Sequence, residues 1–508
     1  MGAMAEGEYF TLTGALMAVL CVYVIFGRLL GMYIFDSTGS TGLRRRLMVQ
    51  VVVLGDIGRS PRMRYHATSL ADSGCTVDLI GYTGKWRNEM RSWIVTHAPM
   101  TEETNPGARV NVNRHIRVRP IRQAWSIPEG MPKIFYLLWA PFKAMFLSIQ
   151  LFWIMGCISQ KPDFIIVQNP PSIPTLFIAK GIAYIRKAWF IIDWHNFGYS
   201  ILGMKLGMNH KVVRLAKWYE QRYGKTAFAH MCVTDAMHKE LQDNWQVEGQ
   251  IMTVRDKPQS DFKRLGLEQV HRQFTFSLKL IEDLVKETAD GEKFLGHYND
   301  SKLGTLLTDA TDDGSLIWRQ DRPKLIVSST SWTEDEDFSV LLKAVELYEA
   351  SAKPSDPRLL FVITGNGPQK KYYQDKTKQM TLKKTRIVTA WLEAGDYPLL
   401  LGSADLGISL HTSSSGMDLP MKVVDMFGCG LPVCAINFPC LNELVHDGEN
   451  GLVFENSQDL SEQLMELFVK NPKKLESLCE NVVKEYKDNT WQNQYKEVLV
   501  KLFNQNTE

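Results

Sequence analysis

One stretch near the C-terminal end, residues 404–433, constrains the fold more than any other part of the chain. It begins with an apolar run, residues 406–410, whose pattern is typical of a buried parallel strand. Small polar residues follow, and Pro420 then stands where a helix can begin without losing a backbone hydrogen bond. Gly430 is expected to end this helix, because glycine can take the left-handed conformation there. A strand, a Ser/Gly loop and a helix N-terminus in this order present N–H groups and the positive end of a helix dipole to an anion. The stretch therefore predicts an α/β domain with an anion site at the edge of its sheet.

The loop of this stretch supplies the groups that would bind the anion. We expect the backbone amides around Ser414, Ser415 and Gly416 to bind it, and Lys422, one turn into the helix, to add a full positive charge. The diphosphate of a nucleotide sugar matches this combination of donors. The alternative is an ordinary loop of an α/β protein, because short motifs of this kind also occur without a ligand.

Three other segments accompany this loop in a fixed order along the chain. The four segments are residues 55–63 (GDIGRSPRM), 193–196 (DWHN), 328–337 (SSTSWTEDED) and 411–416 (HTSSSG). Together they resemble the chitobiosyldiphosphodolichol beta-mannosyltransferase family, which belongs to the GT-B glycosyltransferases. The resemblance covers most of residues 47–454 and fails over the segment after Phe262, which looks like an insertion. It implies an α/β protein of GT-B fold, with two Rossmann-like domains facing a cleft and an N-terminal transmembrane helix.

The resemblance also implies an enzyme and its reaction. Enzymes of this family transfer mannose from GDP-mannose to dolichol-diphosphate-linked chitobiose and form a β1,4 bond with inversion. In related retaining enzymes two glutamates flank the loop, whereas here Met417 and Asp425 stand in their places. This difference disfavours a retaining α-mannosyltransferase of the same pathway, and a non-catalytic membrane scaffold with a transferase fold is the other alternative. Other mannosyltransferases of the pathway are candidate partners.

Further donor-binding residues follow from the resemblance. Asp425 is expected to accept ribose hydroxyls, unless it is only a surface residue of its helix, and Glu443 is a second candidate for this role. The other expected donor contacts lie just after two strands of the second domain, at Thr330, Ser331, Trp332, Gly365 and Gly367.

Two residues are equal candidates for the general base. Asp56 follows the first strand, and His195 follows a later strand with Asp193 beside it. A histidine titrates near neutral pH and suits the role, although a structural hydrogen bond is the alternative. The expected acceptor-binding residues lie after the first strand, at Gly58, Arg59 and Arg62. An ordinary helix-surface position is the alternative for Arg62.

Composition excludes several classes of function. The formal net charge is only +2, so no nucleic-acid partner is expected. The eight cysteines fit no zinc-site spacing, and the first loop lacks the G-x-G-x-x-G pattern of dinucleotide-binding enzymes. The acidic run 334–337 is interpreted as a helix start rather than a metal site, because the helix dipole favours carboxylates there. No cofactor is therefore expected, and no metal is strictly required in the site.

Two apolar stretches indicate contact with a membrane. Residues 10–35 are long enough to cross a bilayer, with glutamates before them and three arginines, 44–46, after them. The positive-inside rule predicts a single-pass anchor, a lumenal N-terminus and cytosolic catalytic domains, and the resemblance adds the endoplasmic reticulum. A cleaved signal peptide is the alternative. Residues 134–158 are expected to lie along the membrane face or, alternatively, in the core of a soluble domain.

The pattern of strands and helices predicts the domain boundaries. An amphipathic helix at 212–228 is predicted late in the first domain. The predicted parts are a lumenal N-terminus (1–9), a transmembrane anchor (10–35), an N-terminal Rossmann-like acceptor and membrane domain (44–258), an insertion and linker with a mobile loop (259–321), a C-terminal Rossmann-like donor domain (322–474) and a C-terminal helix that returns to the N-terminal domain (475–508).

Overall fold

The computed structural model describes residues 46–84, 115–123, 133–296, 304–311, 313–333, 336–393 and 395–503. They form two compact units. The first comprises the described residues up to Met231 together with Leu241–Met252, and the second comprises Cys232–Glu240 and the described residues from Thr253 onward. The predicted anchor and the segment before it lie outside the described residues.

The first unit is built on a seven-stranded sheet. Its strands are β1 (Met48–Asp56), β2 (Thr76–Tyr82), β3 (Ile116–Pro120), β4 (Phe164–Asn169), β5 (Trp189–Trp194), β6 (Thr226–Cys232) and β7 (Glu248–Thr253). Their order across the sheet is β3-β2-β1-β4-β5-β6-β7, and the first five in this order pair in parallel. The first seven residues of β1 are buried, as expected for a continuous apolar run in a parallel sheet.

Five helices are described in this unit. They are α1 (Pro61–Asp72), α2 (Lys133–Trp153), α3 (Thr175–Arg186), α4 (Gly198–Leu206) and α5 (Lys211–Gly224). Helix α2 packs on α3, α3 on α5 and α5 on α4, so these four are successive neighbours. The segment Trp139–Ile158 is long and apolar enough to cross a membrane, and only 28% of it is buried. The second apolar stretch of the sequence is therefore a helix of which less than a third is buried.

The second unit contains a six-stranded parallel sheet and a small hairpin. The hairpin strands are β8 (Thr308–Ala310) and β9 (Leu316–Trp318), and the sheet strands are β10 (Lys324–Ser329), β11 (Leu359–Thr364), β12 (Thr385–Ala390), β13 (Leu406–Ser409), β14 (Val433–Ile436) and β15 (Gly451–Phe454). The sheet order is β12-β11-β10-β13-β14-β15. The carboxyl ends of β10, β11 and β13 therefore meet at one edge, where ligands of such sheets bind.

The described helices of the second unit surround this sheet. They are α6 (Asp235–Lys239), α7 (Leu267–Thr275), α8 (Lys279–Lys286), α9 (Gly291–Leu295), α10 (Phe338–Ser351), α11 (Lys370–Gln379), α12 (Asp396–Ser403), α13 (Met421–Gly428), α14 (Ser457–Met465), α15 (Pro472–Tyr486) and α16 (Trp491–Phe503).

The structure corrects two expectations. The helix predicted at 212–228 ends at Gly224, because the chain enters strand β6 at Thr226. The described residues of the predicted linker, 259–321, instead contribute to the core of the second unit, because their apolar side chains share one buried cluster with β10. The predicted mobile loop falls partly on residues 297–303 and 312, outside the described residues, and stays a prediction. Short helices with amphipathic spacing supply most of these buried side chains. The residues of this segment in the cluster include Val270, Phe274, Leu278, Ile281, Val285, Phe294, Leu306 and Leu307. Helices α15 and α16 group with the second unit, and their predicted return to the first domain stays a prediction.

Candidate active site

A buried carboxylate at the end of β5 gathers three basic side chains in the first unit. Asp193 has no exposed surface, and it accepts hydrogen bonds from Nε and Nη2 of Arg62 at 2.9 and 2.8 Å. Nε2 of His66 lies 3.0 Å from its Oδ2, and Nε2 of His195 lies 2.8 Å from the same oxygen. Arg62 and His66 stand one turn apart on α1, so this cluster joins β5 to the helix that follows β1.

The cluster determines the protonation of its members. Burial alone would raise the pKa of Asp193, but the charge of Arg62 holds it well below its ordinary value. Burial lowers the pKa of His66, so this ring is neutral at neutral pH and donates a hydrogen bond from Nε2–H to Asp193. The side chain of His195 is 24% exposed, and its Nδ1 has no hydrogen-bond partner among the described residues. With Nε2 donating to Asp193, Nδ1 carries the lone pair that a general base needs.

The other candidate base, Asp56, occupies a different position. It ends β1, and its Oδ1 accepts the N–H of Gly58 at 3.0 Å, so it caps the short 3₁₀ turn Ile57–Arg59. Within the described part of the chain Asp56 makes no hydrogen bond to the Asp193 cluster. The choice between Asp56 and His195 stays open, although only His195 has a carboxylate that orients it.

The three predicted acceptor-binding residues lie in two different structural environments. Gly58 and Arg59 lie in the 3₁₀ turn after β1. Arg62 is only 3% exposed and its guanidinium group is bound to Asp193, which places it in a buried ion pair. The structure thus shows what Arg62 stabilises, and contact of any of the three residues with an acceptor stays a prediction.

A second buried carboxylate, Glu336, gathers predicted donor-binding residues in the second unit. Its Oε2 accepts the hydroxyl of Thr330 and the N–H of Ser331, the latter at 2.8 Å. Its Oε1 accepts a hydrogen bond from Nζ of Lys422, and its side chain is 2% exposed. The backbone of Glu336 also forms an antiparallel bridge with His411, beside the Ser/Gly loop. The structure therefore brings the loop after β10 and the first turn of α13 onto one carboxylate.

Two glycines after β11 lie against the same loop. A Cβ atom on Gly365 would fall 1.8 Å from the carbonyl oxygen of Thr330, and one on Gly367 would fall 1.8 Å from that of Ser331. Gly365 also has a φ of +119°, a conformation that other residues rarely adopt. Both predicted glycines are therefore required by the close approach of two backbone segments at the sheet edge.

Trp332 is enclosed by protein. It is 1% exposed, stacks on Phe338 at a centroid distance of 4.6 Å and lies 6.1 Å from the ring of Tyr373. The backbone N–H of Trp332 donates to Oγ1 of Thr330 at 2.8 Å. The side chain thus supports the loop through packing, and its donor contact stays a prediction.

The Ser/Gly loop before α13 makes hydrogen bonds of its own. The hydroxyls of Ser413 and Ser415 donate to Oδ1 of Asp418, and both accept the N–H of Met417 at 3.2 Å. Gly416 has a φ of +73°, and its N–H donates to the carbonyl of Ser413 at 3.3 Å. An anion bound here has to compete with these bonds, so the role of the loop amides, including that of half-buried Ser414, stays a prediction.

The helix that follows this loop begins and ends close to the predicted residues. Pro420 stands directly before the first residue of α13, Met421. Gly430, with a φ of +64°, takes the left-handed conformation that was expected at its end. Lys422 is the second residue of the helix, where its charge adds to the positive end of the dipole.

Asp425 lies one turn after Lys422 and is half-buried. Burial, and next the charge of Asp256, raise the pKa of Asp425 well above its ordinary value. The carboxyl group is therefore protonated over a range in which most aspartates are charged. A neutral carboxyl can both donate to and accept from sugar hydroxyls, and its contact with ribose stays a prediction.

Glu443 caps a helix. Its two oxygens accept the N–H groups of Asp235 and Ala236, at 2.6 and 2.7 Å, at the start of α6. Nη2 of Arg255 lies 3.4 Å from Oε2 of Glu443. A hydroxyl ligand would share this carboxylate with the helix, and that role of Glu443 stays a prediction.

Sequence reasoning gave no role to His66 and took Glu336 for part of a helix start. The acidic run does contain the helix cap: Asp337 accepts the N–H of Ser339 at 2.9 Å. Glu336 instead turns inward to Lys422. The signal for His66 was its position four residues after Arg62, on the same helix face.

Among the described residues no group of three His, Cys, Asp or Glu side chains has a geometry that suits a metal ion. Glu334 and Asp335 lie outside the described residues. Independence from a metal therefore stays a prediction.

Comparison with known proteins identifies relatives over most of the chain. Residues 317–485 match the family model described as Glycosyl transferases group 1. The chitobiosyldiphosphodolichol beta-mannosyltransferase of Mus musculus is 42% identical over 90% of this chain and 89% of its own length. The Homo sapiens protein of the same name is 42% identical over 84% and 85%. The Arabidopsis thaliana protein named UDP-glycosyltransferase TURAN is also 42% identical, over 82% and 88%.

Solved structures with the same fold are much more distant in sequence. Anabaena Alr3699/HepE in complex with UDP-glucose has a TM-score of 0.56 at 14% identity and covers 90% of this chain and 100% of its own. Sucrose-phosphate synthase from Thermosynechococcus elongatus has a TM-score of 0.56 at 12% identity, over 90% and 99%. These similarities concern the fold, and together with the two parallel sheets they confirm the predicted GT-B class.

Proposed function

This chain belongs to the chitobiosyldiphosphodolichol beta-mannosyltransferase family of glycosyltransferases, and we propose that it transfers mannose from GDP-mannose to dolichol-diphosphate-linked chitobiose. The product carries the mannose in a β1,4 bond, so the reaction inverts the α configuration of the donor. The observation that supports this function most is the Glu336 cluster, which brings Thr330, Ser331 and Lys422 together at the ligand-binding edge of a parallel sheet.

The proposed donor site uses this cluster for the diphosphate. As the bond between C1 of mannose and the β-phosphate oxygen breaks, negative charge grows on the departing GDP. Lys422 and the N-terminus of α13 supply positive charge where the diphosphate is proposed to lie. Glu336 positions the Lys422 ammonium group, since the two side chains are in contact. Gly365 and Gly367 keep the backbone close enough for the nucleoside to lie against it.

The proposed acceptor chemistry needs one base. The hydroxyl oxygen of the outer N-acetylglucosamine attacks C1 from the face opposite GDP, and its proton passes to Nδ1 of His195. Asp193 binds the other nitrogen of the ring at 2.8 Å and stabilises the imidazolium that forms. Asp56 is the alternative base.

The proposed setting is the membrane of the endoplasmic reticulum. The lipid end of the acceptor stays in the bilayer, the N-terminus is lumenal, and a single anchor holds the catalytic units in the cytosol. The apolar helix Trp139–Ile158, of which only 28% is buried, supports contact of the first unit with that membrane. Gly58 and Arg59 are the proposed contacts for the lipid diphosphate, and other mannosyltransferases of the pathway are proposed partners.

One assay tests the function. The purified full-length protein is supplied with a panel of nucleotide sugars and a short-chain lipid-linked chitobiose. We expect GDP-mannose to be the one donor of the panel that supports turnover, and we expect β-mannosidase to cleave the product. UDP-sugars belong in the panel because one relative is named a UDP-glycosyltransferase. An α-linked product would support a retaining enzyme, and absence of turnover with every donor would support the scaffold.

The same assay tests the proposed independence from a metal. Turnover is expected to persist after chelation of divalent cations, because Lys422 and the helix dipole take the place of the ion. A complete loss that only one added cation restores would contradict this.

A further inference from the structure

The corner between helices α4 and α5 in the first unit exposes an unusual amount of apolar side chain. Every residue from 204 to 212 is exposed, which is rare for a segment rich in Met and Leu. Met208, Leu215 and Trp218 are 54%, 60% and 56% exposed. The exposed large apolar residues of this corner are Ile201, Met204, Leu206, Met208, Val212, Leu215 and Trp218. We call residues 201–218 the α4–α5 corner.

The corner is a rigid part of the fold. Glu220 of α5 is fully buried and accepts the N–H groups of Gly198 and Tyr199 at the start of α4, at 2.9 and 3.2 Å. The amide of Asn169 donates to the same carboxylate at 2.6 Å. The exposed apolar side chains are thus presented by a fixed pair of helices, and their exposure does not result from a frayed end.

The charged side chains of the corner are of one sign. Helices α2 to α5 contain no aspartate and a single glutamate, the buried Glu220. The exposed or half-buried basic residues of these helices are Lys143, Lys180, Lys205, Lys211, Arg214, Lys217 and Arg222. Exposed Glu248 of β7 lies close enough to Lys180 to interact with its charge. The corner itself, residues 201–218, combines large apolar side chains with four cations and contains no carboxylate, which complements an anionic lipid leaflet.

We propose that the α4–α5 corner docks on a bilayer that contains anionic phospholipid, with its apolar side chains inserted at the level of the headgroups. The long basic side chains around it reach the lipid phosphates while their stems stay against apolar surface. The neighbouring helices α3 and α2 continue this surface, since Phe177, Ile149 and Met145 are exposed as well. This contact is additional to the predicted anchor and orients the first unit toward the leaflet. It does not rest on the identity of the sugar donor.

The position of one labelled residue tests the proposal. Met208→Cys is introduced into the full-length chain after Cys21, Cys157 and Cys479 are replaced by serine, and an environment-sensitive fluorophore is attached. In vesicles that contain phosphatidylserine we expect blue-shifted emission that a spin-labelled lipid quenches. A matched label at Val500→Cys, which is 55% exposed in the second unit, is expected to remain unquenched.

The charge of the corner is tested on the same label. The combined variant Lys205→Gln, Lys211→Gln, Arg214→Gln should lower the docked fraction in phosphatidylserine vesicles, by about fivefold in affinity for each removed cation. Added salt should act in the same direction. Vesicles of phosphatidylcholine alone should show weaker quenching and no effect of the variant.

Two outcomes would overturn the proposal. A label that remains in water in every vesicle shows that the corner does not touch lipid. A blue shift without lipid quenching shows that another protein surface or a second copy covers it. Turnover of a soluble acceptor is measured separately. The corner variants should leave it unchanged, so a failure of docking and a failure of the proposed reaction are distinguishable.

Discussion

Nε2 of His195 lies 2.8 Å from Oδ2 of Asp193, a carboxylate that has no exposed surface. Arg62 and His66 bind the same carboxylate, so the group that orients the His195 ring is itself held by two other side chains. A base whose orientation is set before the substrate binds loses little freedom in the reaction. This relationship is why we favour His195 for deprotonation of the acceptor.

Replacement of His195 tests this role. His195→Asn removes the proton acceptor, and we expect kcat to fall by about 10²–10⁴-fold. Binding of GDP-mannose, measured by calorimetry, should be retained, because no donor contact is proposed for this residue. Asp56→Asn is the matched comparison: loss of turnover in that variant alone would transfer the role to Asp56. Joint loss of donor binding and turnover would exclude His195 as the base.

The Asp193 cluster makes stability depend on pH. The pKa of Asp193 is lower in the folded chain than in the unfolded chain. Its contribution is therefore complete above about pH 4 and is lost as the pH falls through the lower folded value. Asp193→Asn leaves Arg62 buried without a counter-charge, and we expect a loss of about 3–5 kcal/mol in the free energy of unfolding at neutral pH.

Urea unfolding at several pH values measures this loss. The difference between wild type and Asp193→Asn should shrink in acid, where the wild-type carboxylate becomes protonated. Asp243→Asn, at an exposed position of the same unit, is the control and should change little. A pH-independent difference would show that the charge of Asp193 is not what stabilises the cluster.

Because Lys422 contacts Glu336, two variants can separate the effect of the Lys422 charge on the reaction from its effect on the stability of the fold. Lys422→Met removes the proposed stabilisation of GDP, and kcat should fall by about 10²–10³-fold. It also leaves a buried carboxylate unpaired, which destabilises the fold. The double variant Lys422→Met, Glu336→Gln removes that charge and should recover stability without recovering kcat. Recovery of both would make Lys422 a purely structural residue, and exposed Lys343→Met serves as the control.

The local sequence was sufficient to predict the strands and helix ends that depend only on neighbouring residues. The apolar run 406–410 located strand β13 to within one residue, since a buried parallel strand needs little beyond such a run. Pro420 and Gly430 marked the ends of α13 because their backbone preferences act locally. The resemblance to a family supplied Thr330 and Ser331, which bind the same carboxylate as Lys422 in the structure.

Pairing over long sequence distances was not predictable from local pattern. Glu336 meets Lys422 across 86 residues, and Arg62 meets Asp193 across 131. Glu336 had a local explanation as a helix-start residue, and Asp193 stood only as a neighbour of His195. Only the sheet order brings the partners of both carboxylates close. The core role of segment 259–321 was missed for the same reason, because its short helices become recognisable only against β10.

The close approach of two loops predicts a clear effect of adding one methyl group. Gly365→Ala and Gly367→Ala place a carbon 1.8 Å from a carbonyl oxygen, so the backbone has to move. We expect GDP-mannose affinity to fall at least tenfold in each variant, measured by calorimetry. Gly395→Ala has open space around the new carbon and should bind normally. Normal binding in all three variants would place the donor elsewhere.

The contribution of Asp425 to the free energy of unfolding depends on pH in the opposite direction to that of Asp193. Burial and then Asp256 raise its folded pKa, so its contribution to stability is complete below about pH 4 and is lost as the pH rises through the folded value. Asp425→Asn resembles the protonated carboxyl in shape. It should therefore match wild type in acid, become the more stable protein at neutral pH in urea unfolding, and keep GDP-mannose binding. Asp425→Leu should lose donor binding because it cannot pair with a hydroxyl, while exposed Asp375→Asn should change neither property. If Asp425→Asn tracked wild type at every pH, the carboxyl would be ionised in the folded chain and the proposed hydroxyl contact would need a different partner.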